Sequence, residues 1–128
     1  DFIPNNDSDI RVIVIGDKAF AIKRMVRKND FRASGSGHLV YSKESINIEC
    51  IKIAFDVNKK LGSQCTAFDF VFDHNNSPKI VEISYGFVPS AYEKCSGYWD
   101  MDLKYHEQNF KPAYLILDNA IKDCISYD

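Results

Sequence analysis

The sequence lacks the features that mark several large classes of protein. It contains no run of apolar residues long enough to cross a bilayer and no secretory signal. Its 16 Lys and Arg residues stand against 18 Asp and Glu residues, for a net charge of −2. The basic excess that nucleic-acid binding requires is therefore absent. We expect a protein that has neither a membrane nor a nucleic acid as its partner.

Closely spaced cysteines are lacking as well. Cys50, Cys65, Cys95 and Cys124 form no CxxC pair, which argues against a zinc site. No histidine stands in a recognisable relation to any of them, which argues against a catalytic thiol. We interpret them as reduced and mostly buried, as in a cytoplasmic protein. A phosphate-binding loop of the GxxxxGK type is also absent.

What the sequence does contain is an ordinary globular composition. The chain has 128 residues, of which 45% are hydrophobic and 27% charged, values that suit one compact domain over residues 1–128. It begins at Asp1 rather than at Met, which favours the interpretation that it is a fragment.

The hydrophobic periodicity predicts two hairpins with a helix between them. Residues 10–15 and 19–26 flank a Gly-Asp turn, and residues 66–73 and 79–84 flank a polar turn. Residues 45–61 carry an apolar stripe at helical spacing. The order predicts an α+β fold, in which an antiparallel sheet built from two β-hairpins carries helices packed on one face.

The last third of the chain is less regular. Residues 85–112 show no clear period and predict an irregular segment, after which Pro112 opens a C-terminal helix over residues 113–126. One apolar face is expected on that helix, made of Ala113, Ile116, Leu117, Ala120, Ile121 and Cys124.

Two carboxylates inside the second predicted hairpin are the strongest local signal. Pairing of Asp73 with Pro78 would set Asp69 directly opposite Glu82, on a face shared with Ser84. Two like charges held that close repel each other unless a cation lies between them, and oxygen ligands suit magnesium. The pattern alone leaves an alternative open, in which the acids line the solvated face of an ordinary sheet.

The same hairpin is similar to the "D … P … E-x-N" signature of ATP-grasp enzymes. The matching pieces are D-F-V-F-D at residues 69–73, then Pro78, then V-E-I-S at residues 81–84. The chain thus resembles the C-terminal part of an ATP-grasp domain.

Two upstream pieces support the resemblance. Residues 9–16 resemble the first strand of the C-terminal ATP-grasp subdomain. Residues 23–24 and 30–34 resemble the basic strand and the "DFR-S" loop of the glutamate-ligase branch, which is close to the D-alanine–D-alanine ligases. The order and spacing agree over residues 9 to 89. The later segment looks like that of members associated with polysaccharide biosynthesis.

The resemblance implies a role for each matched residue at the nucleotide. Arg11 would be catalytic at the transferring phosphoryl group, and Arg24 would be catalytic beside the phosphates. Lys23 would bind the nucleotide with them. Val81 would touch the adenine, although strand alternation sets it on the face of the phenylalanines. Residues 34–37 resemble the mobile loop near the acceptor substrate. Without the resemblance, the three basic residues would be plain surface charges on edge strands.

The resemblance also implies a metal site. Asp69 and Glu82 match the acids that bind Mg²⁺, for which Mn²⁺ could substitute. Ser84 stands where the family usually has Asn as a ligand of the second metal, and a serine hydroxyl lacks the amide carbonyl. Removing one acid is expected to relieve repulsion in the metal-free state.

The implied activity is ATP- and magnesium-dependent joining of a small-molecule carboxylate to an amine through an acyl phosphate. The missing N-terminal half of the same chain would supply the lysines on the phosphates, so the fragment alone is expected to be inactive. The sequence leaves open whether the protein forms an oligomer. The alternative function is a degenerate, non-catalytic ATP-grasp scaffold that binds a nucleotide or a partner.

Overall fold

The computed structural model describes residue 3, residues 5–26 and residues 38–126. The "DFR-S" loop and the serine–glycine segment at residues 34–37 lie outside these described residues. The described part contains seven strands and two α-helices. They are β1 Ser8–Ile15, β2 Lys18–Met25, β3 Leu39–Val40, α1 Ile48–Leu61, β4 Cys65–Phe72, β5 Pro78–Ser84, β6 Gly97–Trp99, β7 Tyr105–Glu107 and α2 Pro112–Ser126.

One antiparallel sheet holds all seven strands, in the order β5-β4-β1-β2-β6-β7, with β3 also paired to β2. The two long hairpins, β1–β2 and β4–β5, are joined because β1 pairs with β4. The α+β class and the two hairpins predicted from the sequence are therefore confirmed.

Helix α1 covers one face of the sheet, which we call the α1 face. Asn47 caps its start by accepting a hydrogen bond from the Glu49 backbone N–H at 2.9 Å, and Gly62 ends it in the left-handed region with φ 64°. Its inner side packs against alternate residues of the central strands. This core includes Ile10, Val12, Val14, Cys50, Ile51, Ala54, Phe55, Phe68 and Phe70.

The opposite face, which we call the second face, is covered too. Ile13 and Ile15 of β1 pack there with Tyr92, and Leu115 and Ile116 of α2 lie over them. The two helices thus occupy different faces, whereas the sequence predicted helices on one. The physical reason lies in β1, whose apolar residues run without a break from Val12 to Ile15 and therefore need cover on both sides.

The segment between β5 and α2 contains short regular pieces. A 3₁₀ turn spans Pro89–Tyr92, and β6 and β7 pair with each other and extend the sheet at β2. Trp99 of β6 joins the core of the α1 face. Among the described residues, neither helix combines the length and the apolarity that a membrane crossing needs.

Contacts on one side of α2 determine how the helix lies. Asn119 sits against Gly16, where an added Cβ would meet its amide at 2.6 Å, and Gln64 donates a hydrogen bond to Asp123. Of the apolar face predicted for this helix, only Ile116 packs inward. The other five residues, Ala113, Leu117, Ala120, Ile121 and Cys124, are exposed.

Candidate functional site

Four charged side chains meet at one end of the second face. Arg11 of β1 donates two hydrogen bonds to Asp69 of β4, from Nε to Oδ1 at 2.6 Å and from Nη2 to Oδ2 at 2.7 Å. Arg24 of β2 holds Asp9 of β1 in the same way, at 2.7 and 2.5 Å. Arg24 Nη2 also lies 3.1 Å from Asp69 Oδ2. The four side chains form one continuous network across three strands, which we call the charged cluster.

Strand alternation explains why these four residues converge. Asp9 and Arg11 precede Ile13 and Ile15 at two-residue steps, so all four share the second face. The register sets Asp9 opposite Arg24 and Arg11 opposite Asp69. The charged cluster therefore lies on the second face, next to the apolar core formed there by Ile13 and Ile15.

Burial makes this pairing obligatory. Asp9 and Asp69 are each 4% exposed, and a buried carboxylate without a partner would be strongly unfavourable. The hydrogen bonds from Arg11 to Asp69 outweigh burial and raise the pKa of the Arg11 guanidinium. Burial raises the pKa of the Asp9 carboxyl, against the opposing effect of Arg24. For Arg24, burial alone would lower the pKa, yet the bond to Asp9 and the charge of Asp69 leave it raised.

Glu82 lies directly opposite Asp69, as the sequence predicted, but the pairing is reached differently. Phe72, rather than Asp73, stands opposite Pro78, and the register shifts by one residue between Asp69 and Phe70. The extra residue of this β-bulge is Val81.

The bulge changes which residue joins the apolar side. Ile80, rather than Val81, pairs with Phe70 and packs against the core of the α1 face. Val81 is 54% exposed. The placement of Val81 among the phenylalanines, expected from simple alternation, is therefore wrong, and Val81 is available at the surface of β5 beside Glu82.

Ser84 lies opposite Ala67, one alternation step beyond the Asp69–Glu82 pair on the same face. Its hydroxyl donates a hydrogen bond to the Gly86 carbonyl at 2.8 Å and accepts one from the Gly86 N–H at 3.2 Å. The hydroxyl is thus engaged in a local turn.

Lys23 does not join the charged cluster. Neighbouring residues of a strand point to opposite faces, so Lys23 projects from the α1 face while Arg24 projects from the second face. There it lines a cavity of about 600 Å³ with Asn5, Asn47 and His74 among its other walls. The structure therefore separates two basic residues that the sequence interpretation placed together.

One comparison with known proteins decides the family. A family model described as the RimK-like ATP-grasp domain matches residues 1–104. This chain belongs to that family. The match includes the charged cluster and Glu82, and it ends before α2. No curated protein matches the sequence. Members of the ATP-grasp family are generally ATP-dependent ligases that bind ATP and Mg²⁺, and the resemblance inferred from the sequence is confirmed.

Asp69 and Glu82 are the candidate magnesium ligands of this ATP-grasp chain. Asp69 and Glu82 are two hard-oxygen donors on facing strands, and among residues 3, 5–26 and 38–126 no group of three metal-binding side chains is formed. Magnesium in phosphoryl-transfer sites is commonly held by one or two carboxylates together with substrate phosphates. The donor set of this ATP-grasp domain fits a metal that arrives with a nucleotide.

The structure changes one expectation about these acids. Repulsion between Asp69 and Glu82 was expected to require a cation between them. In the ATP-grasp domain described here, Arg11 and Arg24 already neutralise Asp69. Asp69 is thus a structural partner of two arginines as well as a candidate ligand.

Sequence reasoning missed two residues of the site. Asp9 could have been found, because it precedes Arg11 by two residues and so shares its face. Tyr92, which is 2% exposed, interacts with Arg11, and burial raises the pKa of its hydroxyl. No sequence signal pointed to Tyr92, because it lies in a segment without periodicity.

The cysteines take no part in the site. Burial raises the pKa of the Cys50 and Cys95 thiols to about 12 and that of Cys65 to about 11, so these groups stay protonated and unreactive near neutral pH. All four cysteines are free thiols.

Proposed function

We propose that this chain forms the phosphate- and metal-binding side of the site in an ATP- and magnesium-dependent ligase that joins a small carboxylate to an amine. The observation that supports this most directly is the convergence of Arg11 and Arg24 on Asp69, directly beside Glu82. Two guanidinium groups and two carboxylates on one sheet face provide both signs of charge that a metal-bound nucleotide requires.

The proposed chemistry proceeds by two displacements. An oxygen of the substrate carboxylate attacks the terminal phosphorus of ATP, the bond to ADP breaks, and an acyl phosphate forms. The amine then attacks the acyl carbon, loses a proton, and inorganic phosphate leaves. Arg11 and Arg24 stabilise the charge on the phosphoryl oxygens. Mg²⁺, or Mn²⁺ in its place, would be held by Asp69 and Glu82 and would neutralise phosphate charge.

The ion pairs of the charged cluster bear on how the nucleotide enters. Arg11 donates hydrogen bonds to Asp69, and Arg24 forms an ion pair with it. Phosphate oxygens compete for the same guanidinium groups. We infer that binding of the triphosphate loosens these pairs and frees the Asp69 oxygens for the metal. Asp9 keeps its two bonds to Arg24 and holds that guanidinium in place, so Asp9 is a positioning residue.

The exposed surface beside the charged cluster suits one wall of a cleft whose other wall comes from the N-terminal half of the ATP-grasp fold. Val81, the neighbour of Glu82 in β5, is exposed, and so are Ile83, Tyr85 and Val88 further along the chain; exposed apolar side chains gathered in one stretch are commonly covered by a partner surface. We propose that Val81 contacts the adenine and that the lysines on the phosphates come from the N-terminal half of the ATP-grasp fold. The present chain alone is then inactive. We also propose a cytoplasmic location, because four free thiols suit a reducing compartment.

A second candidate function is a non-catalytic ATP-grasp scaffold that binds nucleotide without turnover. The observation that favours it is Ser84, which stands at the position of the usual metal-binding Asn and has its hydroxyl committed to Gly86.

The two candidates are distinguished by ADP release in a protein that carries this chain together with a complete ATP-grasp domain. With Mg²⁺, ATP and a panel of carboxylates and amines, the ligase releases ADP only when an acceptor pair is present, and Glu82→Gln abolishes that release. Lys23→Gln, on the other face, is the matched control and leaves it unchanged. ATP binding without ADP release for every acceptor pair would support the scaffold and refute the ligase.

A further inference from the structure

Helix α2 presents an unbroken apolar face to solvent. Tyr114 and Ile125 are 63% and 67% exposed, and every member of the face is exposed. An apolar stripe along a whole helix is typical of a helix that packs against another helix. The stripe consists of Ala113, Tyr114, Leu117, Ala120, Ile121, Cys124 and Ile125.

The described chain cannot bury this stripe by turning the helix. The opposite side of α2 is already occupied, because Leu115 and Ile116 lie in the second core, Asn119 packs on Gly16, and Asp123 accepts a hydrogen bond from Gln64. Rotation would expose Leu115 and Ile116 and remove the polar contacts. The described residues therefore leave the stripe uncovered.

We propose that α2 pairs with α2 of a second copy of this chain, antiparallel and about a twofold axis. A twofold contact requires a surface that is complementary to itself. When two copies of the helix run antiparallel with their residues 119 at the same height, Tyr114 of one copy lies level with position 124 of the other, and Leu117 lies level with position 121. Six of the seven stripe residues are thereby level with another stripe residue of the partner copy. The stripe meets the requirement for an antiparallel helix pair.

The charges along the stripe suit the same partner. Asp118 and Lys122 flank one side of it. An antiparallel pair brings both residues of the two copies together near the twofold axis, with two charges of each sign. The other flank carries Ala113 and Ala120, whose small side chains let two helices approach closely. No uncompensated charge is buried in the pairing.

The size of the stripe indicates a reversible dimer. A helix of 15 residues is about 22 Å long, and a single helix pair of this length buries less surface than most stable dimers do. Association is therefore expected to depend on protein concentration.

Sedimentation velocity of the chain over a wide concentration range tests the pairing. The mass should rise from that of the 14.6 kDa chain toward twice that value. Ile121→Glu introduces a charge at the centre of an exposed stripe and should hold the protein monomeric, with an unchanged circular dichroism spectrum. Met101→Glu is the matched control, because Met101 is also exposed but lies between β6 and β7, and it should associate like the wild type.

A disulfide experiment tests the direction of the helices. In the antiparallel pair, position 114 lies opposite Cys124 of the partner subunit. Tyr114→Cys should therefore give a covalent dimer on mild oxidation, and adding Cys124→Ser should abolish it. A monomer at every concentration, a dimer indifferent to Ile121→Glu, or covalent dimers that survive Cys124→Ser would each overturn the proposal.

Discussion

At the scale of single residues, the charged cluster shows how one carboxylate can serve the fold and the proposed chemistry together. Asp69 is nearly fully buried and is bound by two arginines. Glu82, directly opposite, is exposed. Two acids that look equivalent in the sequence motif therefore have different energetic roles.

This difference yields a stability prediction. Asp69→Asn removes the charge that compensates two partly buried guanidinium groups, so it should lower the free energy of unfolding by about 3 kcal/mol, near the lower end for a broken buried pair. Glu82→Gln changes an exposed side chain and should stay within about 0.5 kcal/mol of the wild type. Urea unfolding at neutral pH measures both.

An equal and small effect of the two substitutions would show that the arginines do not depend on Asp69. It would also restore the expectation, drawn from the sequence, that losing an acid relieves repulsion in the metal-free protein.

Residue alternation made part of the cluster predictable. Arg11, Arg24 and Asp69 were identified through the family motif, and the odd separation of Asp69 and Glu82 across a short turn predicted that they face each other. Lys23 was assigned to the nucleotide together with Arg24 because both lie in the piece that resembles the basic strand of the family. A motif match records adjacency along the chain, whereas a strand sends adjacent side chains to opposite faces.

At the scale of elements, the side chain of Asp73 closes the turn between β4 and β5, the two strands that carry Asp69 and Glu82. The Asp73 carboxylate accepts hydrogen bonds from the Asn75 and Ser77 backbone N–H groups at 2.9 and 3.0 Å. These bonds, chiefly the one from Ser77, lower the pKa of the Asp73 carboxyl below its ordinary value. A lowered pKa in the folded state contributes stability above the ordinary pKa, and that contribution is lost as the pH falls through the folded value.

We therefore expect Asp73→Ala to lower stability at neutral pH, and we expect this cost to shrink as the pH falls through the lowered pKa of the wild-type carboxyl. Asp73→Asn keeps an acceptor oxygen and should retain most of the neutral stability, while losing the dependence on pH that this group contributes. Thermal unfolding followed over acid and neutral pH compares the three proteins. A cost for Asp73→Ala that is the same at both pH values would contradict the assignment.

Hydrophobic periodicity did not predict the bulge in β5 or the side of α2 that packs on the sheet. A bulge at Val81 shifts the register by one residue, yet the letters on either side alternate as in a regular strand. For α2, the spacing of its apolar residues revealed an apolar face but not the surface that it contacts. Asn119 and Gly16, which have no hydrophobic signal, help to decide which side of the helix faces the sheet.

At the scale of the whole molecule, the sheet separates two environments. The α1 face holds an apolar core and, at its edge, the cavity lined by Lys23. The second face holds the other core and the charged cluster. The unbroken apolar run of β1 is the sequence signal that both faces are covered.

Substitutions on the two faces are expected to affect nucleotide binding by the chain differently. A non-hydrolysable ATP analogue with Mg²⁺ should raise the melting temperature, because a ligand that binds only the folded state stabilises it by mass action. At ten times the dissociation constant the gain is about 1.4 kcal/mol, or roughly 5 °C for a domain of this size. Glu82→Gln, an exposed change on the second face, should remove the part of this shift that requires Mg²⁺.

Lys23→Gln is the decisive comparison in the same titration. Lys23 projects from the other face, so its substitution should leave the Mg²⁺-dependent shift unchanged. Differential scanning fluorimetry with the analogue alone, with Mg²⁺ alone and with both separates metal-dependent binding from general charge effects. A shift that disappears in Lys23→Gln and persists in Glu82→Gln would place the nucleotide in the cavity on the α1 face, and the charged cluster would then serve only to hold the sheet together.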